Sequence, residues 1–596
     1  MGRHRSLEEA TRRRGIASWP FAVLAVVVLV LLGWLGWSWA SSIMDRRAAA
    51  AAHDCPQGQA VLKVAVAPSV EKPLKEAAKR WNDARTVVYE HCVRVTIVAI
   101  DSNEVLTGLT GKWNEGKVGT RPQAWLPESS LWTNRLAATD NTLLGSAPVS
   151  VATSPVVLAV PGDGAAALAM TTKLSWGTLA SVAADPDGWS RLDRKGWGRF
   201  TVALPDPATN PASGLAIQSA LAGVAKKPEG PLTGKMMSTP PVQTGIAQLA
   251  GAQPGDLPDT TQGALVMLGG SKSVRGAPFS AVATTEVDLY RRNTGIDGQP
   301  PAANALIEVA ANGPSPVADF PFVALAGKGV DQTQIRAAQS FREFLSAAEQ
   351  QVEFSKAGLR ADGASQYPVK APGMRWDSTF GDLKPADSTT TQQVNATWKN
   401  IADGGQIVTV MADVSRTMDF DGGQGKSRME WVKSALSGMA DWTVSGSLGL
   451  WEYSGGLQGE PYEQLAQTLP VTSQRKALHA AVDQLAEPSG ARDLYSSVKA
   501  CYEAAQQAYV PGKRNRIVVI VGGANEAGIS YSQLRADLDA IALSSKPIEI
   551  SFVTVGPNPD RVQLQELASI THGSVASVTD GTGLNATLAQ TLSAVD

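Results

Sequence analysis

The residues of this chain best placed to do chemistry sit where an apolar run stops. Ile407-Val-Thr-Val-Met-Ala ends abruptly in Asp413, Ser415 and Thr417, a cluster of oxygen-bearing side chains. At the carboxyl end of a parallel strand the backbone leaves the sheet for a helix, and polar groups there converge in the crevice where open α/β folds bind ligands. A cation or an anion could be held at such a place. The plainer alternative is that Asp413 only caps the helix that follows.

A second set of candidates consists of hydroxyls and amides at expected helix starts: Ser69, Ser102, Asn103, Ser129, Ser130, Thr209, Asn210 and Ser213. Free backbone N–H groups and the positive end of the helix dipole favour an anionic or polar ligand at these positions. Each is also a good N-cap, and capping alone would account for any one of them.

The elements that must position these groups follow from periodicity. After Thr417, Met429, Val432, Leu436 and Met439 recur at helical spacing within Gln424–Trp442. Gly446–Tyr453, Arg516–Val521 and Ile548–Val555 read as further apolar strands. Amphipathic helices are expected over Gln474–Leu485, Leu494–Tyr509, Ser532–Leu543 and Arg561–Thr571. Such alternation predicts a doubly wound, Rossmann-like parallel sheet over residues 405–596.

This segment resembles a von Willebrand factor type A domain, whose metal site begins Asp-x-Ser-x-Ser and is completed by a Thr and an Asp on two later loops. Asp413 and Ser415 match the opening motif, with Thr417 a conservative replacement of its last Ser. The companion loops depart from it. The family's Gly-Gly-Thr-Asp-Leu-Tyr is Gly490-Ala-Arg492-Asp493-Leu-Tyr495 here, and its Thr-Asp-Gly is Val521-Gly522-Gly523. Mg²⁺ wants near-octahedral oxygen ligation, and two ligand loops are lost. The resemblance then implies a metal-free pocket in which the Arg492 guanidinium pairs with Asp413 in the cation's place. A metal site rebuilt with Asp493 or Asp419 is the alternative.

At 596 residues the chain is long enough for two to four domains. With 53 basic against 55 acidic side chains it has no excess charge for neutralising phosphates, which argues against nucleic acid as a partner. Trp19 to Ala40 is an uncharged run long enough to span a bilayer, so residues 19–41 are expected to form one transmembrane helix. Arg3, Arg5, Arg12, Arg13 and Arg14 precede it, against Arg46 and Arg47 after it. The positive-inside rule then places residues 1–18 in the cytoplasm and the bulk of a single-pass protein outside the cell membrane. A cleaved signal peptide, with Ala40 or Ala48–Ala52 at the cut, is the rival reading. Cys55 and Cys92 flank the first strand–helix unit of the exported part and suit a disulfide, although His53 and His91 beside them also allow a metal site. Cys501, in an amphipathic helix with Leu494, Val498 and Ala505, reads as a buried free thiol.

Between these regions, strands Val61–Ala67, Val93–Ile100 and Pro122–Leu126 alternate with helices Val70–Ala84, Glu104–Trp113 and Ser130–Ala138. The opening strand with Pro68-Ser69, the run Ser150–Pro161, the loop Leu204–Leu215 and the closing run from Ala338 to Arg360 are similar to a type 2 extracellular solute-binding protein. The resemblance implies a two-lobed, periplasmic-binding-protein-like domain over residues 55–363, with the hydroxyl and amide candidates converging on one cleft. Glu128 beside Ser129 would repel a simple oxyanion such as molybdate, so a sugar, a peptide or a protein loop is at least as good a ligand class. Residues 364–404, rich in Pro, Asp, Thr and Ser, read as an interdomain linker.

None of the five histidines lies in a catalytic motif, and the sequence has no phosphate loop and no Cys-x-x-Cys. The fold expected is α/β: one transmembrane helix, a two-lobed domain, then a type A domain. That order resembles envelope proteins of high-GC Gram-positive bacteria. A non-enzymatic, membrane-tethered binding and scaffolding protein without a cofactor is expected, recognising an envelope protein or a glycan. A solute receptor for a transporter and an envelope-polymer enzyme are the alternatives.

Overall fold

The computed structural model describes residues 34, 55–361, 370–376, 380–443, 445–558 and 560–593. The expected transmembrane segment 19–41 therefore lies, apart from Trp34, outside the described residues. Among the described residues no helix is long and apolar enough to cross a membrane.

The described residues build three six-stranded sheets. In the first, Gln59–Val66 lies parallel between His91–Ala99 and Ala124–Leu126, with the chain returning as Pro321–Ala324. In the second, Ser154–Val160 lies between Ser315–Ala318 and Ala281–Thr285. Two short crossings, at 150–154 and 318–321, join the lobes these sheets define. Helices Gln332–Leu345 and Ala348–Lys356 then pack back on the first lobe. Ser154–Val160 is buried at every position, as a strand covered on both faces must be, which is why its sequence runs without polar alternation.

The third sheet has the order Tyr462–Pro470, Ser447–Tyr453, Ile407–Asp413, Asn515–Val521, Ile548–Val555 and Val575–Val578. All its pairs are parallel except the one made by Tyr462–Pro470. Pleating splits its central strand: Val408, Val410 and Ala412 join the core with Met429, Val432 and Leu436, while Met411 faces Leu494, Val498 and Cys501 on the other side. Burial pushes the Cys501 thiol pKa up, so it is an apolar filler. The sheet is doubly wound. Its antiparallel edge strand, Val575–Val578 and the last helix, Leu584–Ser593, were not expected from periodicity.

The linker reading of 364–404 needs correction. Phe380–Leu383 pairs with Ser315–Ala318 as an edge of the second sheet, and Ser388–Ala402 is a helix capped by the Asp387 carboxylate, which accepts from Thr390 N at 2.7 Å. Its apolar side, Val394 and Trp398, is buried in the core of the two-lobed part. Gln218 Nε2 also donates to Thr391 Oγ1 at 3.2 Å. The Asp-Ser-Thr-Thr-Thr composition that suggested a linker is a capping signal followed by a helix in which Thr390, Thr391 and Thr397 are buried.

Cys55 and Cys92 are joined, with Cα atoms 5.4 Å apart. They close a loop of sequence separation 37, which in the chain-entropy account contributes about 3–4 kcal/mol. Alkylation of the unfolded, unreduced protein should label Cys501 alone, and reduction should lower the denaturation midpoint of the two-lobed part. Labelling of all three cysteines would show that the pair is not formed in the cell.

Candidate functional site

Ile407–Asp413 is the third strand of its sheet, and its carboxyl end delivers Asp413 to the crevice between its two parallel neighbours. Asp413 is fully buried, as are Ser415 and Arg492, at 0%, 0% and 1% exposure. Arg492 Nε donates to Asp413 Oδ2 at 2.5 Å, and Nη2 donates to Ser415 Oγ at 2.8 Å and also to Thr417 Oγ1. The remaining nitrogen, Nη1, donates to the Ala524 carbonyl at 2.6 Å. Asp413 is held in turn by the backbone N–H groups of Ser415 and Gly522, both at 2.8 Å. Burial on its own would lower the Arg492 pKa, but the adjacent Asp413 carboxylate prevails and holds it above the ordinary value.

The guanidinium thus takes up the same three side-chain oxygens that would have opened a cation site, and it needs room to do so. A Cβ at Gly523 would lie 2.8 Å from Arg492 Nη1. The glycine pair that removes the second carboxylate also makes the space that the arginine fills. The residues that could rebuild a metal site are occupied elsewhere or distant from its chemistry. Asp493 caps the helix Leu494–Gln507 by accepting from Ser496 N, and Asp419 is exposed. The residues present do not fit Mg²⁺ here, because a second cation would meet a guanidinium already hydrogen-bonded to Asp413, Ser415 and Thr417, the side-chain oxygens that would ligate it.

A second concave site lies between the two lobes, a cleft of about 380 Å³. Of the hydroxyl and amide candidates, Ser69, Thr209 and Asn210 line it. The other five hydroxyl and amide candidates do not. Ser129 caps the helix Ser130–Asp140, accepting from Leu131 N at 3.3 Å, and is fully buried. Ser130 contributes its backbone N–H to Asp319 Oδ1 at 2.7 Å. Ser102 is buried and donates to Glu128 Oε2. Asn103 offers its backbone N–H to the Asp101 carboxylate, the true cap of that helix, at 2.9 Å. Ser213 is fully buried in its helix. Even Asn210 is partly engaged within the fold, because its amide donates to the Asp206 and Asp259 carbonyls and accepts from Thr261 N, clasping two helix starts together.

The profile of a family described as bacterial extracellular solute-binding protein matches residues 62–360, half of the chain and both lobes of this cleft. The chain belongs to that family. Among curated proteins, the chain is similar to an uncharacterized protein of Mycobacterium tuberculosis, 29% identical over 578 residues, which is 96% of this chain and 81% of the relative. Similar solved structures include the sulfate-binding protein of Mycobacterium tuberculosis, at TM-score 0.34 and 12% identity, covering 51% of this chain and 88% of that one. Also similar is a von Willebrand factor type A protein from Catenulispora acidiphila, at TM-score 0.27 and 15% identity, covering 32% and 42%. A third is an aerotolerance-related membrane protein from Bacteroides fragilis, at TM-score 0.24 and 18% identity, covering 32% and 98%.

The charge of the cleft is one-sided. Asp101, Glu128, Asp259, Asp288 and Asp297 line it, against one arginine, Arg291. Asp297 is neutralised by Arg292, 2.9 Å away. Burial pushes the Glu128 carboxyl up to about 7; the Ser102 hydroxyl opposes that shift, and Asp101 and Asp288 add to it. Asp288 is likewise raised, by burial first, against the pull of Arg291. The lobes touch beside the cleft, where Arg135 Nη1 donates to the Ala208 carbonyl at 2.8 Å. Of the acidic lining only Glu128 was singled out from sequence. Asp288 and Arg291 come from the helix Glu286–Thr294, which carries no motif that could have marked them.

Proposed function

We propose that this protein is a non-enzymatic binding and scaffolding protein of the bacterial cell envelope, tethered to the membrane through residues 19–41, whose cleft holds a hydroxyl- and ammonium-bearing ligand of the amino-sugar class. The observation that carries the reading is the lining of Asp101, Glu128, Asp259 and Asp288 with Ser69, Thr209 and Asn210. Carboxylates accept hydrogen bonds from sugar hydroxyls and pair with ammonium groups, while an oxyanion entering the same cleft would be repelled. The C-terminal unit, its pocket closed by Arg492, would dock a protein partner without a bridging metal.

The test is the thermal stability of the protein with glucosamine oligomers, compared with sulfate and molybdate. Glucosamine oligomers should raise the melting temperature and the oxyanions should not. The pH dependence follows from Glu128. Its pKa is raised in the folded state, so its contribution to stability is greatest below the ordinary carboxyl range and is lost as pH rises through about 7. Ionisation of Glu128 over the same window completes the site for a cation, while the ligand's own amines, which also titrate near neutrality, lose their protons above it, so ligand stabilisation should grow as pH approaches about 7 and fall again beyond. In Glu128→Gln that growth should vanish. Stabilisation by sulfate or molybdate alone would replace this reading with that of an anion receptor for a transporter, which the family membership supports in its own right.

A further inference from the structure

Where the two-lobed part meets the C-terminal unit there is a cavity of about 80 Å³ that neither the cleft nor the Arg492 pocket explains. Its walls come from both sides. Ala247 and Ile401 belong to helices Pro240–Gly251 and Ser388–Ala402 of the first part, and Val408, Met439 and Leu448 belong to the sheet and first helix of the second. No residue of the lining carries a charge. Gln243, Asn400, Gln406, Ser445 and Ser447 add polar groups to the lining, and two further hydroxyls, Thr397 Oγ1 and Thr443 Oγ1, are buried in it without a hydrogen-bond partner among the described residues. Thr397 is 7% exposed. The Trp442 indole beside them is spent, donating to Asn585 Oδ1 at 3.2 Å.

A buried hydroxyl without a partner costs about 1–3 kcal/mol, and two of them facing one cavity are costly unless something fills it. We propose that this junction is a second ligand site, for a small uncharged amphiphile that presents a hydroxyl or amide to Thr397 and Thr443 and an apolar tail to Met439, Leu448 and Ile401. Charged ligands are excluded because the lining offers no counter-charge. One to several ordered waters are the competing occupants, since a water takes only about 10–15 Å³ of such a volume. The amphiphile differs from water in using the apolar walls as well as the hydroxyls. Because each part contributes one of the two hydroxyls, a bound molecule would fasten the C-terminal unit to the second lobe.

The probe is n-pentanol, applied to the full chain. Saturation-transfer NMR should show pentanol binding, and a crystal soaked in pentanol should place its oxygen within hydrogen-bond distance of both threonines. Thr397→Val with Thr443→Val keeps the shape and removes both hydroxyls, so pentanol affinity should fall about tenfold for two lost neutral hydrogen bonds. Pentanol binding equally well to the double variant would overturn the proposal, as would ordered waters that bridge the two hydroxyls in the wild-type crystal and are not displaced. The crystallographic result stands even if the double variant fails to fold.

Discussion

Asp413→Ala is expected to destabilise the C-terminal unit by about 3–5 kcal/mol, the range for removing one partner of a buried ion pair. The reason lies in what remains. Arg492 is 1% exposed and would keep its bonds to Ser415 and Ala524 but lose the carboxylate that its guanidinium pairs with directly. The two backbone N–H groups of Ser415 and Gly522 that now point at the carboxylate would be orphaned as well. For a unit of this size about 2–4 °C is lost per kcal/mol, so its calorimetric transition should drop by roughly 10 °C in the full chain. Asp413→Leu combined with Arg492→Met should be far milder, because it removes both charges and leaves apolar volume in their place. A change in Asp413→Ala of under about 1 kcal/mol, the worth of an exposed pair, would show that water reaches the pair and that the burial argument is wrong.

How far the sequence could be read differed between the two sites. The Arg492 pocket was legible because each part of it is a departure from a motif with fixed geometry: an arginine where a hydroxyl belongs and a glycine where a carboxylate belongs can both be placed once the strand order is known. The cleft was less legible, and for a physical reason. Ser, Thr and Asn at a helix start satisfy the helix's own free N–H groups as readily as they bind a ligand. Ser129 and Asn103 were absorbed in that local structure, while Ser69, Thr209 and Asn210 reached the cleft. The carboxylates that set its charge come from loops and one helix brought together only by the fold, Asp101 from the first lobe and Asp288 from the second, so no window of sequence contains them. The helix Ser388–Ala402 was missed because its buried threonines are polar by residue type yet apolar enough to pack when their hydroxyls find partners, as Thr391 does with Gln218.

The Arg492 pocket also predicts what should happen when a cation is offered. Wild-type protein titrated with Mg²⁺ or Mn²⁺ should show no binding at the Asp413 pocket, since Arg492 already donates to Asp413, Ser415 and Thr417. Arg492→Thr together with Gly522→Asp should create it. The first change vacates the centre and restores a hydroxyl; the second adds a carboxylate where the geometry can use one. A Cβ at Gly522 lies 3.2 Å from both Asp413 Oδ2 and Thr417 Oγ1, directed at the vacated centre, and its one severe contact, 2.5 Å, is with the flexible thioether of Met418. The added carboxylate also explains why both changes are needed together. Arg492→Thr alone leaves Asp413 without a counter-charge and one carboxylate short of a divalent site, whereas Gly522→Asp alone offers the arginine a second carboxylate and leaves no vacancy. Affinity in the double variant should fall near about 0.1–1 mM, the range of extracellular cation sites. At roughly 10–100 times that concentration Mg²⁺ should stabilise the unit by about 1.5–3 kcal/mol. Calorimetric titration of the two proteins decides the matter: sub-millimolar Mg²⁺ binding by the wild type that is lost in Asp413→Asn would mean that the cation displaces Arg492, and the guanidinium would then be a gate to the metal site instead of its replacement.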